Sequence, residues 1–147
     1  MSDSTFERIL SELGQLLGIS SLAPTGDGLC QLVFDGSLAV QLVDMRAHRQ
    51  VLLSCALDTG PANAAHAELM AKANFMQAGC GVVACLAPDG RAHLQLSIPL
   101  TECNGQALAT ALETLLNQAE TWQMRLRDQA ANIREPIRNP AVYLQSV

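Results

Sequence analysis

Apolar residues recur at helical spacing near the start of the chain: Phe6, Ile9, Leu10, Leu13, Leu16 and Leu17. Ser4 and Glu7 stand three apart, as a capping box requires, and Gly18 offers a stop. This spacing predicts a first helix. Residues 20–28 include Pro24, Gly26 and Gly28 and read as loop. The pattern then changes to period two. Residues 29–34 form a short apolar strand, and Asp35-Gly36 is a two-residue turn that favours a tight hairpin. Residues 37–43 alternate, with Leu38, Val40 and Leu42 on one face and Ala39, Gln41 and Val43 on the other. A polar turn over 44–50 leads into a third strand at 51–57. Three strands with short connections predict an antiparallel meander.

Thr59-Gly60-Pro61 breaks the alternation. Asn63 is placed to cap a second helix reaching residue 78, with a stripe of Ala65, Leu69, Ala73 and Met76 flanked by Met70 and Phe75. Gly79 and Gly81 end it. Residues 80–87 are nearly all small or apolar, the pattern of a strand buried on both faces. Pro88-Asp89-Gly90 predicts another hairpin turn. Residues 91–99 then set His93, Gln95 and Ser97 opposite Leu94, Leu96 and Ile98. Asn104 opens a last helix, whose seam of Leu108, Leu112, Leu115, Ala119, Trp122 and Leu126 steps by four and three. The helix is expected to end near Ile133, because Pro136 and Pro140 bar its continuation. The order is α-β-β-β-α-β-β-α, an α+β fold with an antiparallel twisted sheet and helices packed against it. Residues 1–135 are expected to form a single domain, and 136–147 an extended or disordered tail.

Composition sharpens this picture. Of 147 residues, 49% are hydrophobic but only 3% aromatic, so Leu, Val, Ala and Met must fill the core. Charged residues make up 16%, against roughly a quarter in an ordinary globular domain. A small domain with so few charges has apolar surface to spare for an oligomer interface or a partner groove. The net charge of −5 and the lack of a basic patch argue against nucleic acid. Arg125, Arg127, Arg134 and Arg138 are diluted by Asp128 and Glu135 and read as a solvated helix face. Five cysteines without framework spacing read as reduced, core-filling residues of a cytosolic protein. No basic leader follows Met1, and no apolar run approaches the roughly 18–20 residues of a membrane span, so membrane insertion is not expected.

Chemistry is poorly represented. There is no GxxxxGK[ST] loop and no GxGxxG, and the glycines sit at turns and helix ends. No CxxC occurs, Cys80 and Cys85 stand five apart, and His48, His66 and His93 are scattered, so neither metal nor cofactor is expected. Cys55 and His93 fall on strands that could be neighbours, which leaves a thiol nucleophile open. A reactive cysteine needs an electropositive, accessible setting, and the apolar strand around Cys55 favours packing instead. Asp35, Asp58 and Asp89 lie beside turns, where aspartate is common. The polar residues do not converge as an active site requires, and the chain reads as a binding protein, not an enzyme.

Four segments together resemble the class I chaperones of bacterial type III secretion systems, the Tir-chaperone-like family. Leu13-Gly14-Gln15-Leu16-Leu17-Gly18-Ile19 is similar to the family's LGxxLG stretch. Cys30-Gln31-Leu32-Val33-Phe34-Asp35-Gly36, followed by Leu38, Val40 and Leu42, resembles its first hairpin. Ala73-Asn74-Phe75 with Gly79 and Gly81 looks like its ANF…G segment. The run from His93 to Leu100, with Ala119 before Trp122, completes the likeness. Two features depart from it: the cysteine-rich stretch at Cys80 and Cys85, and the proline-containing tail.

The resemblance implies a cytoplasmic homodimer that wraps the non-globular N-terminal region of a secreted effector around itself and keeps it export-competent. It also implies no nucleotide of its own and removal by the ATPase of the secretion apparatus. Residues expected to contribute to effector pockets are Ile9, Leu13, Leu16, Leu29, Val33 and Val43. For the dimer, the small and Met-rich faces of Leu69, Met70, Ala73, Met76, Val83 and Cys85 suit two-fold packing. Two rivals remain at this point: a dimeric adaptor or regulator that binds a folded partner, and a small thiol enzyme using Cys55 or Cys85.

Overall fold

The computed structural model describes residues 4–75 and 81–133. Helix α1 (Ser4–Leu17) precedes strands β1 (Leu29–Phe34), β2 (Leu38–Met45) and β3 (Gln50–Pro61). Helix α2 (Ala64–Ala73), strands β4 (Val83–Leu86) and β5 (Arg91–Pro99) and helix α3 (Gly105–Ile133) follow. The five strands form one sheet in the order β1-β2-β3-β5-β4, each antiparallel to its neighbours. This is the expected α-β-β-β-α-β-β-α order. Met76, Cys80, the expected extension of the second helix to residue 78, the tail 136–147 and the side chain of Ser4 lie outside what is described.

Alternation decides which face of the sheet is covered. Leu32 on β1, Val40 and Leu42 on β2, Val51, Leu53 and Cys55 on β3, and Leu94 on β5 are all buried on one face. They share a single core with Ile9, Leu10 and Leu13 of α1 and with the whole four-and-three seam of α3 from Leu108 to Leu126. Each fully buried leucine contributes about 1.5–3 kcal/mol relative to exposure, so this seam supplies much of the stability.

Two local devices set the geometry around α1 and β1. Gly18 adopts φ +73°, and the N–H of Ile19 donates to Gly14 O at 2.8 Å. That is a Schellman stop, with glycine at the left-handed position. A Cβ on Gly14 would lie 2.7 Å from Ile19 O, so Gly14 is required for space, whereas Gly18 is favoured for its left-handed backbone. At the first hairpin Asp35 (φ 52°) and Gly36 (φ 74°) take the two left-handed positions of a type I′ turn. Phe34 stands opposite Leu38, so Ser37 joins the turn and the loop has three residues, one more than expected.

Three expectations are corrected. β3 runs on to Pro61, with an irregular register between Ala56 and Pro61, where the sequence reading stops the strand at residue 57. α2 ends at Ala73 with Asn74 as its C-cap, short of the residue 78 expected, and the Asn74 side chain bonds β4. β4 is a four-residue edge strand with Val83 and Leu86 exposed, not a strand buried on both faces. A run of small apolar residues looks the same in a central strand and in an edge strand with a bare apolar face.

Candidate partner-binding surface

Among the described residues, the helices lie on one face of the sheet and no element covers the other. Its side chains lie in cross-strand rows fixed by the register. Leu29, Val43 and Leu52 form an apolar row over β1, β2 and β3. Gln31, Gln41, Ser54 and Gln95 form an amide row beside it. Ser54 Oγ accepts from Gln95 Nε2 at 3.2 Å and lies 3.4 Å from His93 Nδ1, so this row is internally bonded. Val33 and Ala39 begin a second apolar row, and Val33 is 58% exposed.

The two edges of the sheet differ. On β4, Asn74 Nδ2 donates to Ala84 O at 2.8 Å and Asn74 Oδ1 accepts Ala84 N–H at 3.0 Å. One side-chain amide thus stands in for a neighbouring strand and closes that edge. On β1 the alternate residues Cys30, Leu32 and Phe34 bond inward to β2, which turns the peptide groups of Leu29, Gln31 and Val33 outward. Leu29 O accepts Thr25 N–H at 2.8 Å. Among the described residues, nothing pairs with the outward peptide groups of Gln31 and Val33.

A third apolar area lies where α2 meets β4. Phe75 just beyond the helix is 75% exposed, and Val83 is 46% exposed. A fourth lies at the end of α1, where Leu16 is 54% exposed and Leu17 and Ile19 are also exposed.

A family model for the Tir chaperone proteins (CesT) matches residues 8–123. The chain belongs to this family. Solved structures agree in fold. A chain of the ExsC–ExsE complex is 23% identical, with a TM-score of 0.75, over 84% of this chain and 94% of that one. A chain of the HopA1–SchA chaperone–effector complex is 20% identical, with a TM-score of 0.73, over 84% and 99%. A chain of the complex of the Yersinia pestis type III secretion chaperone SycH with a stable fragment of YscM2 is 18% identical, with a TM-score of 0.64, over 80% and 98%. No curated relative matches by sequence.

For a member of the CesT family, the expected surface residues divide by burial. Leu29, Val33 and Val43 lie together on the open face, and Leu16 is exposed at the end of α1. Ile9 and Leu13 have no exposed surface and are core residues, a correction to their expected place in pockets. The seam that spaces a helix for the core is the same signal that marked them. Met70 is likewise buried, whereas Leu69 and Ala73 are half-buried. Val83 and Cys85 lie on the same open face as Val33 and Val43, not apart from it. Sequence reasoning missed Phe75 and Leu52. Phe75 closes the Ala73-Asn74-Phe75 segment and flanks the α2 stripe, and its place off that stripe is the signal that it is exposed.

The cysteine chemistry opposes a thiol enzyme. Burial pushes the Cys55 thiol up to about 11 and raises that of Cys85. Cys55 Sγ is directed to Ala56 O and Cys85 Sγ to His93 O, the bonds in which these thiols act as donors. Both thiols stay protonated at neutral pH, the reverse of an activated nucleophile. Among the described residues no group of three or more His, Cys, Asp or Glu could hold a metal ion, and no helix is long and apolar enough to cross a membrane.

Proposed function

We propose that this protein is a type III secretion chaperone that binds the N-terminal, non-globular region of a secreted effector and keeps it soluble and export-competent. The observation that carries this reading is the open sheet face, with apolar rows around Leu29, Val43, Leu52 and Val33, continuous with the open edge at Gln31 and Val33. An extended client gains main-chain bonds from such an edge and side-chain burial from such rows. Both are needed, because a disordered segment loses conformational entropy when it is ordered. The family supports the reading, as does the chaperone–effector complex among its structural neighbours.

The working form of this proposal is a cytoplasmic homodimer that joins through the end of α2 and β4 and releases its client at the secretion ATPase. It has no catalytic step and no cofactor. Tagged protein is recovered from its native host, the bound proteins are identified by mass spectrometry, and the complex is subjected to limited proteolysis. The expected result is one enriched secreted protein protected only over its N-terminal stretch, with recovery lost in V33D/V43D. Recovery of folded partners alone would replace the chaperone with a dimeric adaptor.

A further inference from the structure

We propose that Gln31 and Gln41 select the client by the side chains of its edge strand: the residue that pairs with Gln31 carries a neutral amide or a hydroxyl, and the residue two positions before it, which pairs with Val33, is apolar. The selection rests on the function proposed above and adds to it a rule that the client sequence obeys.

The rule comes from the register. The sheet is antiparallel throughout, and β1 turns the peptide groups of Gln31 and Val33 outward. A strand that joins there in the same sense places one residue directly opposite Gln31 and an earlier one opposite Val33. Directly paired residues share a face, so both side chains stand on the open face, about 4.5–5.5 Å from their neighbours on β1. The residue between them turns to the helix face beside Leu32. Beyond Gln31, the Thr25 N–H already occupies Leu29 O, so pairing is confined to one apolar rung and one polar rung.

The two rungs differ in chemistry. Val33 continues into Ala39, and the side chains there offer only apolar contact. Gln31 continues into Gln41, Ser54 and Gln95. At the inner end of this row the polar groups are already joined: Gln95 Nε2 donates to Ser54 Oγ, and Ser54 Oγ lies 3.4 Å from His93 Nδ1. At the outer end both glutamines are exposed, and among the described residues neither side chain has a hydrogen-bond partner. An amide or hydroxyl on the client strand extends the row by one member and bonds Gln31, as amide ladders do between stacked strands. An apolar residue in its place takes water from the Gln31 amide and returns no bond. Leu29, Val43 and Leu52 on the other side of the row are apolar, so the polar rung is a single stripe between two apolar ones. It thereby sets the client's register: a slip by two residues places the client's amide against Val33 or its apolar residue against Gln31.

Panning of a phage-displayed library of random linear peptides against the full-length protein tests the rule. Selected peptides are synthesised and kept as edge binders where they slow amide exchange at Gln31 and Val33. On wild type these should read apolar-x-amide or apolar-x-hydroxyl. Replacing the amide by valine should weaken binding by about threefold to tenfold, the effect of one net hydrogen bond. Q31N should keep the wild-type choice. In Q31V/V33Q the order should reverse to amide-x-apolar, an outcome that a merely structural role of Gln31 could not produce. Both positions are exposed, and an unchanged far-ultraviolet spectrum checks that the variant folds. Selection of the same peptides by wild type and Q31V/V33Q, or of apolar residues opposite Gln31 in wild type, would overturn the proposal and leave the chaperone reading in place. Absence of any peptide that slows exchange at Gln31 and Val33 would overturn it as well, with the client still recoverable by pull-down. A failed pull-down beside a reversed order in Q31V/V33Q would count against the chaperone reading and not against the rule.

Discussion

His66 Nε2, in the first turn of α2, lies 3.0 Å from the carbonyl oxygen of Leu126 in α3, a buried hydrogen bond between groups 60 residues apart. The other ring nitrogen, Nδ1, accepts the N–H of Asn63 at 3.2 Å, while Asn63 Oδ1 accepts the N–H of His66 at 2.9 Å. An accepting Nδ1 requires that the proton reside on Nε2, which therefore donates to Leu126. A capping box ordinarily uses Glu or Gln at this position. Histidine closes the same box and ties the helix to α3 as well. H66A should lose about 2 kcal/mol in urea unfolding, since it removes the reciprocal cap and leaves a buried carbonyl unpaired. H66Q, which can keep the cap but not the tie to α3, should fall between H66A and wild type.

Asn74 acts at the opposite end of α2. Its amide pairs with both backbone groups of Ala84, so the acceptor and the donor each have a role. N74D keeps the acceptor but turns a carboxylate oxygen toward Ala84 O. The expected loss is about 1–3 kcal/mol, with faster amide exchange at Ala84. An unchanged Ala84 amide would mean that something other than Asn74 holds the edge.

These two side chains show where the sequence was legible. The seam from Leu108 to Leu126 and the alternation from Leu38 to Leu42 are periodic signals, and the structure places them in the core as read. Asp35-Gly36 and Gly18 are local signals, tied to backbone angles that few residues adopt. Asn74 and His66 act on partners distant in the chain, and no spacing rule reveals a bond from Asn74 to Ala84. The candidate surface was half legible for the same reason. Parity placed Leu29, Val33 and Val43 on one face, but helical spacing alone could not separate buried Ile9 and Leu13 from exposed Leu16.

The crossing of α1 and α3 depends on Gly105. A Cβ there would lie 2.5 Å from Glu12 Cβ and within 2.9 Å of the backbone of Glu12 and Leu13. Backbone cannot yield as a side-chain tip can. G105A should therefore cost about 3 kcal/mol in unfolding free energy, at the upper end of ordinary overpacking. Gly26 has open space around its missing Cβ, and G26A should be close to neutral. Equal effects from the two substitutions would refute the close crossing.

The buried thiols set an alkaline limit. Burial raises both Cys55 and Cys103 from 9.0 to about 11, and the Glu12 carboxylate adds to the effect at Cys103. The folded state holds these protons after the unfolded chain has begun to release them. The resulting stability is complete below pH 9 and is lost as pH rises toward 11. Unfolding followed across this range should show stability falling, with a shallower fall in C55A after correction for its lower starting stability. At neutral pH, alkylation of Cys55 in the native state should be much slower than that of a free thiol.

The apolar area at the end of α2 bears on assembly. Phe75 and Val83 are both exposed in the single chain, beside half-buried Leu69 and Ala73. An aromatic side chain in water beside an edge strand is the kind of surface that two-fold packing removes, each copy offering the same patch to the other. Neither residue belongs to the core, so replacing both should leave the fold intact. Wild type should sediment as a dimer, and full-length F75D/V83D as a monomer with an unchanged far-ultraviolet spectrum. An intact dimer in this variant would move the interface away from α2 and β4. Substituting Leu16 instead should leave the dimer whole, because the end of α1 is expected to serve the client and not the second copy.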